Sequence, residues 1–220
     1  MIVGWALPTF PTNYHQLIKN TNLKLLSLPQ MPDHRRAYTF SGAIFFALVI
    51  FNRRPIFAEP DNIERLRQAA TAVKAEMPFD ITAAVVLPDH IHFVWTLPQS
   101  NDDYSKRVGR LKVLFTRSLK GSRALPQDVC ISRQRQRESD VWQRRFWENT
   151  IRDEADWVGH INYLHYNPVK HGLVECPHQW EFSSFRRFVR NGFYGEDWGC
   201  RCEGRETAVE FEGEGLVVGE

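Results

Sequence analysis

Val85-Val-Leu-Pro-Asp89-His90-Ile-His92-Phe-Val-Trp-Thr-Leu-Pro98 holds two signals, a turn and a pair of histidines. Apolar runs at residues 81–87 and 91–97 flank Pro88-Asp89, a turn dipeptide, so the stretch predicts a β-hairpin. Side chains alternate faces along a strand. His90 and His92 therefore point one way, about 7 Å apart, while Ile91 and Phe93 point the other. Two imidazoles on one face can converge on a divalent cation. A bare His-x-His also arises by coincidence on a strand surface, so a third ligand and a nucleophile are needed to separate the two readings.

The chain outside the hairpin supplies the rest of a sheet and its helices. Ala43 to Phe51 is β-branched and aromatic and predicts a buried strand. Asp61 opens a helix to Glu76, with Ile63, Leu66, Ala70 and Val73 at helical spacing and Pro78 stopping it. Residues 102–120 predict an amphipathic helix with Val108, Leu111, Phe115 and Leu119 inward. Residues 121–140 read as a polar loop, and Val141 to Ile151 as a further strand. Asp153 or Asp156 begins a helix that Pro168 and Gly172 end near Asn167, and 173–200 is aromatic and irregular. Strand, helix, strand, strand, helix, strand, helix is an α+β order, and a ferredoxin-like antiparallel sheet with helices packed on it is its simplest form. That domain spans 35–200. Residues 1–34, with Pro8, Pro11, Pro29 and Pro32 and no sustained period, read as a poorly ordered extension, and Met31 as an alternative start. Residues 201–220 read as an acidic disordered tail.

At 220 residues, 43% hydrophobic and 25% charged, the composition excludes a wholly disordered or fibrous chain. No apolar run approaches the ~20 residues that cross a bilayer, and no secretory signal is visible. A cytoplasmic, nucleoid-associated protein with no membrane partner is the expectation. Four cysteines are too few for a disulfide scaffold and are expected to be reduced thiols, with Cys200-x-Cys202 lacking a second pair at ligand spacing. The net charge of +2 conceals segregation. Residues 104–150 hold twelve Lys/Arg against four acids, whereas 196–220 hold eight acids against two Arg. A basic stretch of this density suits a polyanion, nucleic acid first, although a solvated helix face would also produce it.

The helix ending near Asn167 carries the remaining chemistry. Tyr163 and Asn167 are four apart and share a helical face. The Asn167 carbonyl suits a hard cation, Mg²⁺ or Mn²⁺, and the Tyr163 phenol is a nucleophile one turn away. The competing reading packs Tyr163 and Tyr166 on the sheet with only their hydroxyls at its edge.

Residues 85–98, with Phe146-Trp-Glu148 and Tyr163-x-x-Tyr166-Asn-Pro-Val-Lys-His-Gly172, closely resemble the REP-associated tyrosine transposases, single-tyrosine members of the HUH single-strand endonucleases. The resemblance covers about 35–200 in order and spacing. It implies that His90 and His92 bind the metal, that Asn167 completes the site, and that Tyr163 is the nucleophile, with Tyr166 its rival about 100° off that face. It implies Mg²⁺ or Mn²⁺ as cofactor and single-stranded, hairpin-forming DNA from repetitive extragenic palindromes as substrate. The product would be a 5′-phosphotyrosine that permits strand transfer. A domesticated hairpin-binding protein with little or no cleavage is the alternative. Arg107, Arg110, Lys112, Arg117, Arg144, Arg145 and Trp147 in the basic stretch, with Lys170, Arg186, Arg187 and Arg190, are the candidate DNA contacts, and Trp142, Phe146, Trp180, Phe182 and Phe185 further stacking candidates. A monomer or homodimer is expected.

Overall fold

A computed structural model describes residues 42–98, 103–119 and 140–202. The proposed extension, the 121–139 part of the loop and most of the acidic tail lie outside the described residues. Four strands form one antiparallel sheet: β1 Ala43–Val49, β2 Asp80–Val86, β3 His90–Thr96 and β4 Trp147–Thr150, in the order β2-β3-β1-β4. Helices α1 Pro60–Glu76 and α2 Tyr104–Leu119 occupy the two crossovers, α3 Glu154–Lys170 follows β4, and α4 Phe185–Arg190 is short. This β-α-β-β-α-β order with β1 central is the ferredoxin-like arrangement.

The sheet is buried on both faces, which is why β1 is apolar throughout rather than alternating. On one face Phe46 meets Trp95 at 5.1 Å and Tyr104 at 5.6 Å, and Phe79 meets Trp95 at 4.2 Å, placing α1 and α2 there. On the other, Phe45 meets His92 at 5.4 Å, His160 at 5.0 Å and Tyr163 at 6.1 Å, placing α3 against the histidine face. The hairpin turn closes through Leu87 N–H donating to the His90 carbonyl. Ile50 N–H donates to the Asp89 carbonyl, tying β1 to that turn.

Two expectations need correction. Pro168 does not end α3. It lies inside the helix, whose first turn is capped by Asp153 accepting from Asp156 N–H. The helix stops at Gly172 (φ 66), where Gly172 N–H donates to the Val169 carbonyl and Leu173 N–H to the Pro168 carbonyl. That paired closure needs a left-handed residue at its centre, and only glycine takes it without cost. The strand expected over 141–151 is confined to Trp147–Thr150, because the chain first bridges Ile50 through Trp142. The stretch 173–200 is largely irregular, as expected, apart from a short 3-10 turn at Pro177–Gln179 and α4. Val86 N–H donates to Phe182 O and Ser184 N–H to Ala84 O, so residues 182–184 cover the edge of β2 before α4 begins. No described helix is long and apolar enough to cross a membrane.

Candidate active site

β3 delivers His90 and His92 from adjacent positions on the α3 face, ring centroids 5.0 Å apart. Across the gap, α3 presents Tyr163, whose ring stands 5.4 Å from His92. At the C-terminal end of the helix the His171 ring lies 5.2 Å from His90. Residues 163, 167 and 171 follow one another at four-residue spacing, so Asn167 occupies the stripe between two residues that each touch the histidine pair. His90, His92 and Asn167 are buried to 4%, 1% and 0% exposure. His90, His92 and Tyr163 thus meet, and the four-residue step puts Asn167 on the same stripe of α3.

Their polar atoms identify what the cluster accommodates. His90 Nε2, both ring nitrogens of His92, and both Asn167 amide atoms are buried without a hydrogen-bond partner. An orphaned buried polar atom costs about 1–3 kcal/mol, and natural structures rarely keep several in one place unless a ligand satisfies them. Imidazole nitrogens and an amide oxygen are donors for a divalent cation, so this set fits one. The other His90 nitrogen is already committed: Nδ1 lies 2.6 Å from Asp89 Oδ1, and Asp89 pairs in turn with Arg53 at 3.3 Å. A carboxylate behind a histidine fixes the tautomer that leaves Nε2 free for a metal. Burial would raise the Asp89 carboxyl, but the His90 hydrogen bond and the charges of His90 and Arg53 outweigh it and hold it below the usual range. Burial pushes His92 well below an ordinary histidine, reinforced by His90, His171, Lys170 and Arg53. It is neutral at pH 7, the form that ligates.

The two tyrosines separate clearly. Lys170 Nζ sits 5.1 Å from the Tyr163 ring centroid. Tyr166 instead accepts a 2.7 Å hydrogen bond from Arg201 Nε and packs edge-on to Trp198. His160 is another buried histidine near the site, but Asp156 O engages its Nδ1 and Asn149 Nδ2 its Nε2.

The candidate DNA contacts divide by burial. Arg107 is 1% exposed and donates to the carbonyls of Met77, Pro78 and Asp103, so it fastens α2 to the end of α1 and is not a phosphate contact. Arg110 makes a bidentate pair with Glu76 at 2.7 Å. Lys112 donates to the Gln143 carbonyl and lies over the Phe146 and Trp142 rings; burial lowers it to about 8. Arg186 donates to the His178 carbonyl and Arg187 to that of Thr82. Arg117, Arg144, Arg145 and Lys170 are exposed, and Trp147 is half-buried against Phe45. Among the stacking candidates, Trp142 and Phe185 belong to the core.

Sequence reasoning missed Asp89 as an orienting group and His171 as a neighbour of the pair. Asp89 was signalled by adjacency to His90, and His171 by its four-residue step from Asn167. It also expected reduced thiols, whereas Cys176 and Cys200 are joined in a disulfide. Gly199 makes this approach possible: a side chain there would stand 3.2 Å from both Pro177 and Tyr166, and its φ of +69 favours glycine.

Comparison with known proteins finds that the family described as "Transposase IS200 like" matches residues 38–166. A candidate REP-associated tyrosine transposase of Haemophilus influenzae is 43% identical over 170 residues, covering 77% of this chain and 94% of that one. The REP-associated tyrosine transposase of Escherichia coli K12 is 39% identical over 168 residues, covering 76% and 91%. A solved structure of a REP-associated tyrosine transposase bound to a REP hairpin superposes with a TM-score of 0.60 at 39% identity, over 76% of this chain and 91% of that one.

Proposed function

The chain belongs to the IS200-like transposase family, and from that premise we propose that it is a metal-dependent single-strand DNA endonuclease and strand transferase acting on hairpin-forming palindromic repeats. The observation that carries this reading is the set of unpartnered, buried donors on His90, His92 and Asn167 beside Tyr163. The hairpin in the relative's structure supports the substrate class.

A divalent cation held by His90 Nε2, a ring nitrogen of His92 and Asn167 Oδ1 would supply Lewis-acid polarisation of the scissile phosphate and offset charge in the transition state. Tyr163 Oη attacks phosphorus and gives up its proton, the P–O3′ bond breaks, and the 3′ oxygen leaves as a hydroxyl. The product is a 5′-phosphotyrosine. Phosphate-ester energy is kept in that link, so the 3′-hydroxyl of a second strand can attack it and restore both the phosphodiester and the phenol. A phenol ordinarily titrates near 10 and needs help at neutral pH. Lys170, held over the Tyr163 ring, favours the phenolate that develops during attack.

The test is a labelled hairpin oligonucleotide from the host genome's repeats, incubated with Mn²⁺ or Mg²⁺ and resolved on a denaturing gel. A covalent adduct is expected from the native chain and from Tyr166→Phe, and none from Tyr163→Phe. Hairpin binding with no adduct under either metal would replace this reading with that of a hairpin-binding protein. An adduct surviving in Tyr163→Phe and lost in Tyr166→Phe would reverse the assignment of the nucleophile.

A further inference from the structure

A second cluster of metal-ligating side chains lies outside the site just described, where the segment after α3 meets the last described turn. The second pair that Cys200-x-Cys202 was expected to lack is a Cys-x-His: Cys176-Pro-His178 and Cys200-Arg-Cys202 are two donor pairs of identical spacing, separated by a run of 21 residues. The donor atoms of Cys176, His178 and Cys200 all lie within 4.8 Å of one another. Cys202 Sγ is 3.1 Å from Cys176 Sγ, and His178 Nδ1 is 4.0 Å from Cys200 Sγ and 3.1 Å from the Glu196 carbonyl.

We propose that Cys176, His178, Cys200 and Cys202 form a structural zinc site. Three thiols and an imidazole are a complete ligand set for tetrahedral Zn²⁺, leaving no open position for catalysis. With Zn–S bonds of about 2.3 Å, a tetrahedron has donor–donor edges of about 3.8 Å. The observed separations of 3.1, 4.0 and at most 4.8 Å bracket that value, and the pair that must part furthest to reach it is Cys176 and Cys200, bonded to each other here. A disulfide accounts for Cys176 and Cys200 alone and gives no reason for a third sulfur and an imidazole to converge on the same point. One ion accounts for all four.

The backbone is arranged for closure. Arg201 N–H donates to the Glu175 carbonyl, bringing the two pairs side by side, and Gly199 lets the second pass against Pro177 and Tyr166. Arg201, between the two cysteines of its pair, also holds the Tyr166 hydroxyl. The site thus fastens residues 198–202 to α3, one residue short of the metal ligand Asn167 in sequence. The structure holds the cluster in its oxidised form. Loading requires a thiol reductant: the disulfide and two reductant thiols exchange to give two cysteine thiols and the reductant's own disulfide. Zn²⁺ then displaces three thiol protons and binds three thiolates and neutral His178.

The full chain, purified with a thiol reductant, is analysed for zinc by plasma mass spectrometry. It is expected to carry about one zinc per chain, kept in the His90→Ala/His92→Ala variant and lost in Cys200→Ser/Cys202→Ser. That contrast separates this site from the proposed catalytic one, since failure of either leaves the other's readout intact. Substituting Co²⁺ in the native chain gives a second measurement that needs no variant, with the strong near-ultraviolet charge-transfer bands of a tetrahedral thiolate complex expected. Absence of those bands overturns the proposal. So does a chain with all four thiols alkylatable and no bound zinc, a Cys176–Cys200 disulfide that survives the reductant, or zinc lost in the histidine variant and kept in the cysteine variant.

Discussion

Asp89 takes a 2.6 Å contact from His90 Nδ1 and is itself paired with Arg53, so one carboxylate determines which His90 nitrogen is left without a hydrogen-bond partner. Replacing it with asparagine keeps the volume but removes the charge that selects the tautomer. Asp89→Asn is expected to weaken Mn²⁺ binding by about 10- to 100-fold, the usual penalty for losing an orienting partner behind a metal-bound histidine. Calorimetric titration of Mn²⁺ into the full chain measures it, and unchanged affinity would show that Asp89 acts only as a turn residue. At this scale the site was largely legible. A period of two pairs His90 with His92, and a step of four aligns Tyr163 with Asn167. What the pattern could not give was contact across elements. His171 meets His90 only because α3 runs through Pro168 and closes at Gly172, and a sequence that places a proline one residue past Asn167 points to an earlier stop.

Helix α3 carries Tyr163 and Asn167 on one face and a second buried histidine on another. His165 is fully buried, with Nε2 at 2.8 Å from Ser184 Oγ and Nδ1 at 3.2 Å from Tyr194 Oη, among the rings of Phe185 and Phe188. Burial, with the Arg187 charge added, pushes it well below 6.5. Above pH 6.5 both folded and unfolded chains hold it neutral and it contributes no pH dependence. Below that value the unfolded chain takes up a proton that the folded chain refuses, so stability falls by up to about 1.4 kcal/mol per pH unit for this residue. Urea unfolding at pH 7 and pH 5 should show native stability dropping on acidification, and His165→Asn should narrow the gap between the two pH values even if it lowers stability at both. An unchanged gap would assign the acid sensitivity elsewhere. Arg107 shows what the element-level pattern allowed and what it hid. Residues 107, 111 and 115 repeat at four-residue spacing, so Arg107 falls on the buried stripe of α2 and not among its exposed cations. Truncating it strands three backbone carbonyls. Arg107→Ala is expected to cost about 3 kcal/mol in unfolding free energy while leaving hairpin affinity of the folded protein unchanged. Loss of affinity at full stability would restore it as a DNA contact.

Across the whole chain, charge is segregated far more than the net value suggests, and only the structure shows which basic residues are exposed to a polyanion. The sequence pointed to the stretch 104–150 by density. Density does not distinguish a guanidinium that braces two helices from one that reaches solvent, since both sit at helical spacing in a polar run. Arg107 is buried, Arg110 is neutralised by Glu76, and Lys112 is held over two rings and half-discharged near pH 8. Arg144 and Arg145 are exposed, just before β4 and on the same segment as half-buried Trp147. Each phosphate neutralised releases condensed counterions, so the logarithm of the binding constant falls with the logarithm of salt concentration by about 0.7 to 0.9 per contact. Arg144→Ala/Arg145→Ala should therefore bind a hairpin more weakly at low salt and show a slope shallower by about 1.4 to 1.8. Arg110→Ala, which frees Glu76 from a surface pair, should leave the slope close to that of the native chain. Fluorescence anisotropy over a salt series reads both. If Arg110→Ala flattens the slope and the arginine pair does not, the DNA lies along α2 rather than along the approach to β4.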